Sequence, residues 1–126
     1  MSQFATTIFN AAFFAGLPIA QHKPHSFYIS RYPAGRESTV NFGSIDVQFR
    51  NDTGAGVWID TSTTSGSVTV ALYGDNGGRR VEALHGPQVP RPGGGFAIEV
   101  TRVVTGGDGQ GGRRVFLTTY KPPPAD

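Results

Sequence analysis

The sequence predicts an α+β fold, with one N-terminal buried helix packed on a mainly antiparallel β-sheet with hairpins. Three observations lead there. The chain opens on an apolar run with helical spacing, and most of the remaining chain alternates with a period of two. Eighteen Gly and nine Pro among 126 residues then punctuate it with turns, as short strands require and a helical bundle does not.

The helix is expected from about Gln3 to Ala15, with Ser2 as its N-cap and Gly16 followed by Pro18 as stop signals. Phe4, Ile8 and Ala12 form one i, i+4 row, and Ala5, Phe9 and Phe13 the adjacent one. Together they make a wide apolar face that only a sheet can cover. A secretory signal reading of the same run fails, because Met1-Ser2-Gln3-Phe4 supplies no basic n-region.

Strand signals come next along the chain. Residues Ser26–Tyr32 alternate up to a Pro33-Ala34-Gly35 turn, and Ile45, Val47 and Phe49 alternate with Asp46, Gln48 and Arg50. Val57 and Ile59 mark a strand that turns through Thr61–Gly66 into Ser67–Tyr73. Further strands are expected at Arg80–Leu84, Phe96–Val104 and Arg114–Tyr120. The chain divides into a core over 1–75, a β-strand extension of the same domain over 76–121, and a Pro-rich tail over 122–126.

Composition excludes several classes. Zero Cys rules out disulfides, thiolate metal sites and cysteine catalysis in this chain. No stretch is long and apolar enough to span a bilayer, so no membrane insertion is expected. A net charge of +2 with scattered Arg gives no nucleic-acid footprint. Gly93-Gly94-Gly95 precedes a strand, so the phosphate cradle of a helix N-terminus is missing and no nucleotide cofactor is expected. One internal echo stands out: Gly77-Gly78-Arg79-Arg80-Val81 recurs as Gly111-Gly112-Arg113-Arg114-Val115. It reads as two hairpin turns with solvated Arg on each outgoing strand. Alternatively, one Arg of each pair joins a patch for an anionic polymer or phosphate.

The histidines carry the most informative chemistry. His22 and His25 flank Lys23-Pro24 in a turn, three residues apart with no carboxylate nearby in sequence, so no metal site is expected. His25 then reads either as a turn residue hydrogen-bonded to backbone or as a general base facing a nucleophile. His85, before Gly86-Pro87, reads as a surface loop residue. Arg36 reads as a carboxylate fork or as a turn Arg paired with Glu37 or solvent. Trp58 and Tyr32 read as groove lining or as core.

Four segments in order now resemble a known family: Ser2-Gln3-Phe4-Ala5-Thr6-Thr7-Ile8-Phe9-Asn10-Ala11-Ala12, His22-Lys23-Pro24-His25-Ser26, Tyr32-Pro33-Ala34-Gly35-Arg36-Glu37-Ser38-Thr39-Val40 and Asp46-Val47-Gln48-Phe49-Arg50-Asn51. They are similar to the VanW-like domain of bacterial envelope proteins, named for an accessory protein of vancomycin-resistance clusters. The likeness spans roughly Ser2 to Tyr73, and residues 80–120 match more loosely. It implies a role outside the cytoplasm, in the cell envelope, with peptidoglycan or a wall-associated protein as partner. Some members are described as L,D-transpeptidases that work through a cysteine acyl-enzyme.

This chain departs from the family pattern in two ways. It begins at Met1 without the preceding glycines, as a trimmed or naturally short form would, and Ser2 stands at the family's Cys position. A helix N-terminus can draw a thiol toward thiolate, but it cannot ionise a serine hydroxyl. Ser2 would need His25 as base, oriented by Glu37 or Asp46, with Glu37 replacing the Asp common in the family motif. The resemblance therefore implies either a non-catalytic peptidoglycan-associated module or an L,D-transpeptidase-like acyl transferase or hydrolase using Ser2, His25, Glu37 and Asp46. Arg36, His22 and Tyr32 are the candidates for contacting substrate.

Overall fold

The structure, a computed structural model, describes residues 2–29, 32–40, 44–75, 77–106 and 112–122. Among the described residues the elements are one helix and eight mostly antiparallel strands, so the fold is α+β and mostly β. Helix α1 runs Ser2–Ala15. The strands are β1 (Ile19–Gln21), β2 (Gln48–Phe49), β3 (Val57–Thr63), β4 (Val68–Gly74), β5 (Arg79–His85), β6 (Val89–Pro90), β7 (Phe96–Gly106) and β8 (Gly112–Tyr120).

The helix ends as the sequence requires. Gly16 has a φ of +81°, its N–H donates to the Phe13 carbonyl at 3.2 Å, and the Leu17 N–H donates to Ala12 at 3.2 Å. This crossed pair is a Schellman close, in which a glycine takes the left-handed position and the next apolar residue folds back. Leu17 is accordingly buried. The face that α1 buries is narrower than its two apolar rows. Ala5, Phe9, Ala12 and Phe13 are buried, whereas Phe4 and Phe14 are exposed. The Ser2 side chain, and with it the N-cap reading, lies outside what is described.

Strand β7 is the spine of the main sheet. Its residues 100–104 pair with β5 on one side and β8 on the other, while 96 and 97 pair with β6 and β8. Strands β5 and β6 therefore share one edge of β7, and β8 takes the other edge alone. The inner face carries Val81 and Ala83 from β5, Val100 from β7 and Phe116 from β8, against Phe9, Ala12 and Phe13 of the helix. The β3–β4 hairpin forms a separate two-stranded sheet whose Leu72 joins the same cluster, so α1 is covered from two sides.

Several expectations are corrected here. Of the strand expected over Ser26–Tyr32, the described residues 26–29 and 32 form no strand, and they carry a parallel bridge, Phe27 to Lys121, with a hydrogen bond from Lys121 N–H to Ser26 O at 2.7 Å. Alternation supplied the pattern, but among the described residues the chain that pairs with it is the stretch just after β8. The segment 44–50 keeps strictly alternating burial, yet its described strand is no longer than Gln48–Phe49, paired with β1, with an isolated bridge position at Ile45. Trp58 is 71% exposed, so it is not core. Arg79, expected in solvent, is buried. Its guanidinium donates to Gly16 O at 3.0 Å and to Asp52 Oδ1 at 2.6 Å. Strands β1 and β6 went unpredicted because two or three residues make too short a periodic signal. Gly111, the Asp108–Gly109 turn and residues 123–126 of the tail lie outside the described residues.

Candidate functional site

The site is built where the segment after α1 returns past the helix. Pro24 leaves the turn without one donor, and the next N–H, that of His25, donates to both oxygens of Glu37, at 2.9 and 3.1 Å. The His25 Nδ1 also contacts Glu37 Oε2. Glu37 is buried, and its Oε1 accepts a third bond from the Tyr120 hydroxyl at 3.0 Å. Tyr120 in turn accepts from the Gly35 N–H at 3.2 Å. Burial, followed by the neighbouring Glu37, pushes the Tyr120 phenol well above its ordinary range, so it stays a protonated donor.

The ring of His25 stacks on Tyr32, with centroids 5.6 Å apart and planes at 11°. Carboxylate, imidazole and phenol rings are thereby fixed from three elements: the His22–Ser26 turn, the Pro33–Glu37 turn and the end of β8. One rim of His25 belongs to a shallow cavity of about 330 Å³ with Lys23, Phe27 and Ile45. A larger groove, about 730 Å³, runs beside the N-terminal half of α1 past Tyr32 to the β3–β4 turn. Its walls carry Gln3, Thr7, Asn10, Thr64 and Ser67, amides and hydroxyls with no formal charge.

The family model described as VanW like protein matches residues 1–73, more than half of the chain. The chain belongs to the VanW-like family. It is also 35% identical over 71 residues to the uncharacterized protein YoaR of Bacillus subtilis strain 168. That match covers 56% of this chain and 23% of the relative, so the chain spans under a quarter of that protein's length. No solved structure matches. Membership points to a bacterial, cell-wall-related protein. Among the described residues, no helix is long and apolar enough to cross a membrane.

Of the residues singled out from the sequence of this VanW-like chain, the structure brings together His25, Glu37 and Tyr32. Asp46 is exposed on the segment before β2, and the carboxylate shown accepting from His25 is that of Glu37. Ser2 begins α1, and its side chain lies outside what is described. Arg36 pairs with neither Glu37 nor solvent alone. It contacts Asn10 Oδ1, donates from Nε to His85 Nε2 at 3.0 Å, and lies over the Phe14 ring at 5.0 Å. His85 is thus the exposed last residue of β5 rather than a loop residue. Burial and then Arg36 hold its pKa below the ordinary histidine value, which suits it to accept that bond.

His22 is a core aromatic. It stacks on Phe9 at 4.6 Å and meets Phe116 edge-on at 5.5 Å. Burial first, and Arg114 second, lower its pKa to about 4, so it is neutral at pH 7. Two residues that sequence reading missed complete the VanW-like site. Tyr120 lay in the stretch where the family likeness is looser, and as a site residue it was marked only as a polar-tipped aromatic at the end of an apolar strand. Asn10 was hidden inside the apolar helix, where its amide bridges Thr6 O and Arg36 O at 2.9 Å each.

Proposed function

We propose that the chain is a non-catalytic cell-envelope module that binds peptidoglycan through its stem peptides, using the groove beside the N-terminal half of α1. The observation that carries this reading is the groove's chemistry. Amide and hydroxyl groups of Gln3, Thr7, Asn10, Thr64 and Ser67 suit the amide-rich backbone of a short peptide and would repel little of either charge. Family membership supports the cell-wall setting. A serine at the family's Cys position supports the absence of acyl-enzyme chemistry, since the helix dipole alone does not ionise a hydroxyl. Residues 76–121 belong, on this reading, to the same domain, because Val100 and Phe116 cover the helix that forms one wall of the groove.

Co-sedimentation with purified peptidoglycan sacculi tests it. The chain should sediment well above a control protein of equal net charge, and Thr7→Arg, which fills the groove without touching the core, should abolish the excess at unchanged melting temperature. Retention no greater than the control's would end this reading. A second reading is favoured by one contact, that of His25 Nδ1 with Glu37, which orients an imidazole as a general base needs. It makes the chain an L,D-transpeptidase-like acyl transferase or hydrolase with Ser2 as nucleophile. Covalent labelling of Ser2 by an acylating β-lactam or a fluorophosphonate, lost in His25→Gln, is its expected signature.

A further inference from the structure

Three arginines from three strands converge on the C-terminal end of α1. Arg79 donates to Gly16 O, Arg102 to Phe13 O at 3.3 Å and Leu17 O at 2.8 Å, and Arg114 to Ile19 O at 2.6 Å. The partial negative charge of a helix C-terminus, about half an elementary charge, welcomes one cation there and does not balance three. Asp52 is the carboxylate at this place, and it is engaged by Arg79. Among the described residues, no carboxylate pairs with Arg102 or Arg114.

Arg102 and Arg114 are moreover direct partners across the β7–β8 ladder, an arrangement that like charges disfavour. Arg102 is only 6% exposed, and its Nε–H is a buried donor without an acceptor. An unmet donor on a buried guanidinium costs more than a neutral one, so it demands a reason. Burial first lowers the Arg102 pKa, with Arg114 and Arg79 adding to it and Asp52 opposing. Beside these guanidiniums there is room for a small anion. A cavity of about 210 Å³ is lined by Arg102, Arg113 and Arg114 together with Gly16, Pro18 and Asp52.

We infer that this cavity is an oxyanion-binding site, in which Arg102 and Arg114, with Arg113 beside them in the lining, take a phosphate or carboxylate group of a ligand. Paired guanidiniums meet such groups through parallel charge-assisted N–H···O bonds, and the cavity's size admits the group rather than a large molecule. The site lies at the opposite end of α1 from the peptide groove and stands whether or not that groove binds peptidoglycan.

The test tracks the arginine Nε–H signals by NMR in the intact chain, titrating inorganic phosphate in one arm and acetate in the other at constant ionic strength. Saturable shifts of Arg102 and Arg114 are expected in at least one arm, with Arg80, on the outer face of β5, unmoved. The arm that saturates at lower concentration tells phosphate from carboxylate. Arg114→Gln should weaken binding by about tenfold or more. Arg113→Gln, which makes no bond to the helix end, gives the same readout should Arg114→Gln fail to fold. Shifts that never saturate, that move all arginines alike, or that persist at full affinity in both variants would overturn the inference.

Discussion

Glu37 holds His25 by its backbone and by its ring at once, so one buried carboxylate sets both the path of the turn and the orientation of the imidazole. The same carboxylate is clamped from the other side by Tyr120, from the end of β8. Turn, site and sheet are therefore tied at a single group.

Glu37→Gln should destabilise the fold by about 2–4 kcal/mol, because an amide cannot accept from all three donors and leaves buried groups unmet. Tyr120→Phe removes only one of those bonds, and should cost about 1–2 kcal/mol. Urea unfolding of both single variants and the double variant measures this. The double should lose less than the sum, since the two residues share a bond.

Acid should weaken the protein through His22. Its pKa moves from the ordinary 6.5 to about 4 in the fold. The unfolded chain thus binds more protons between these values, and stability is full above about pH 6.5 and falls until about pH 4. The loss should be about 2 kcal/mol, less than the full shift implies because solvent reaches part of the ring. Unfolding free energy against pH reads it directly, and His22→Phe should flatten that slope while keeping the stack on Phe9.

Gly35 admits no side chain. Its φ is +79°, and an added Cβ would stand 2.6 Å from Val100 Cγ2. Gly35→Ala should cost about 2–4 kcal/mol, from backbone strain together with overpacking. Val100→Ala in the same chain should recover part of that loss by clearing the clash, and equal losses with and without it would show that the backbone term acts alone.

The two apolar rows of the helix should behave differently. Phe9→Ala, at a fully buried site, should cost about 3–5 kcal/mol. Phe4→Ala, at a position 39% exposed, should cost well under half of that. Thermal unfolding of the two variants side by side separates them.

The sequence's legibility tracked how local each determinant is. Helix α1, the β3–β4 hairpin and strands β5, β7 and β8 are set by periodicity and by turns such as Gly16, and all were readable at close to their observed bounds. Ser26–Tyr32 misled because alternation specifies a face and not a partner, and pairing there depends on Lys121, far along the chain. At the site, the family likeness offered Glu37 or Asp46 as the partner of His25, and the contact made is with Glu37, whereas Asn10 and Tyr120 were not legible. Their roles exist only once α1 and β8 are brought against the Pro33–Glu37 turn. Arg79 looked like a solvated turn residue for the same reason, since the carbonyl it reaches belongs to the helix end.

The cover of α1 comes late in the chain. Phe9 shares its cluster with Val100 and Phe116 on the last two strands, so in a growing polypeptide the β3–β4 hairpin can cover one side of α1 while the side facing the main sheet stays incompletely covered until the last hairpin has been synthesised. Such high contact order slows folding and prolongs exposure to aggregation. A truncation that removed β8 would therefore abolish solubility even though the stretch matching the family was left whole.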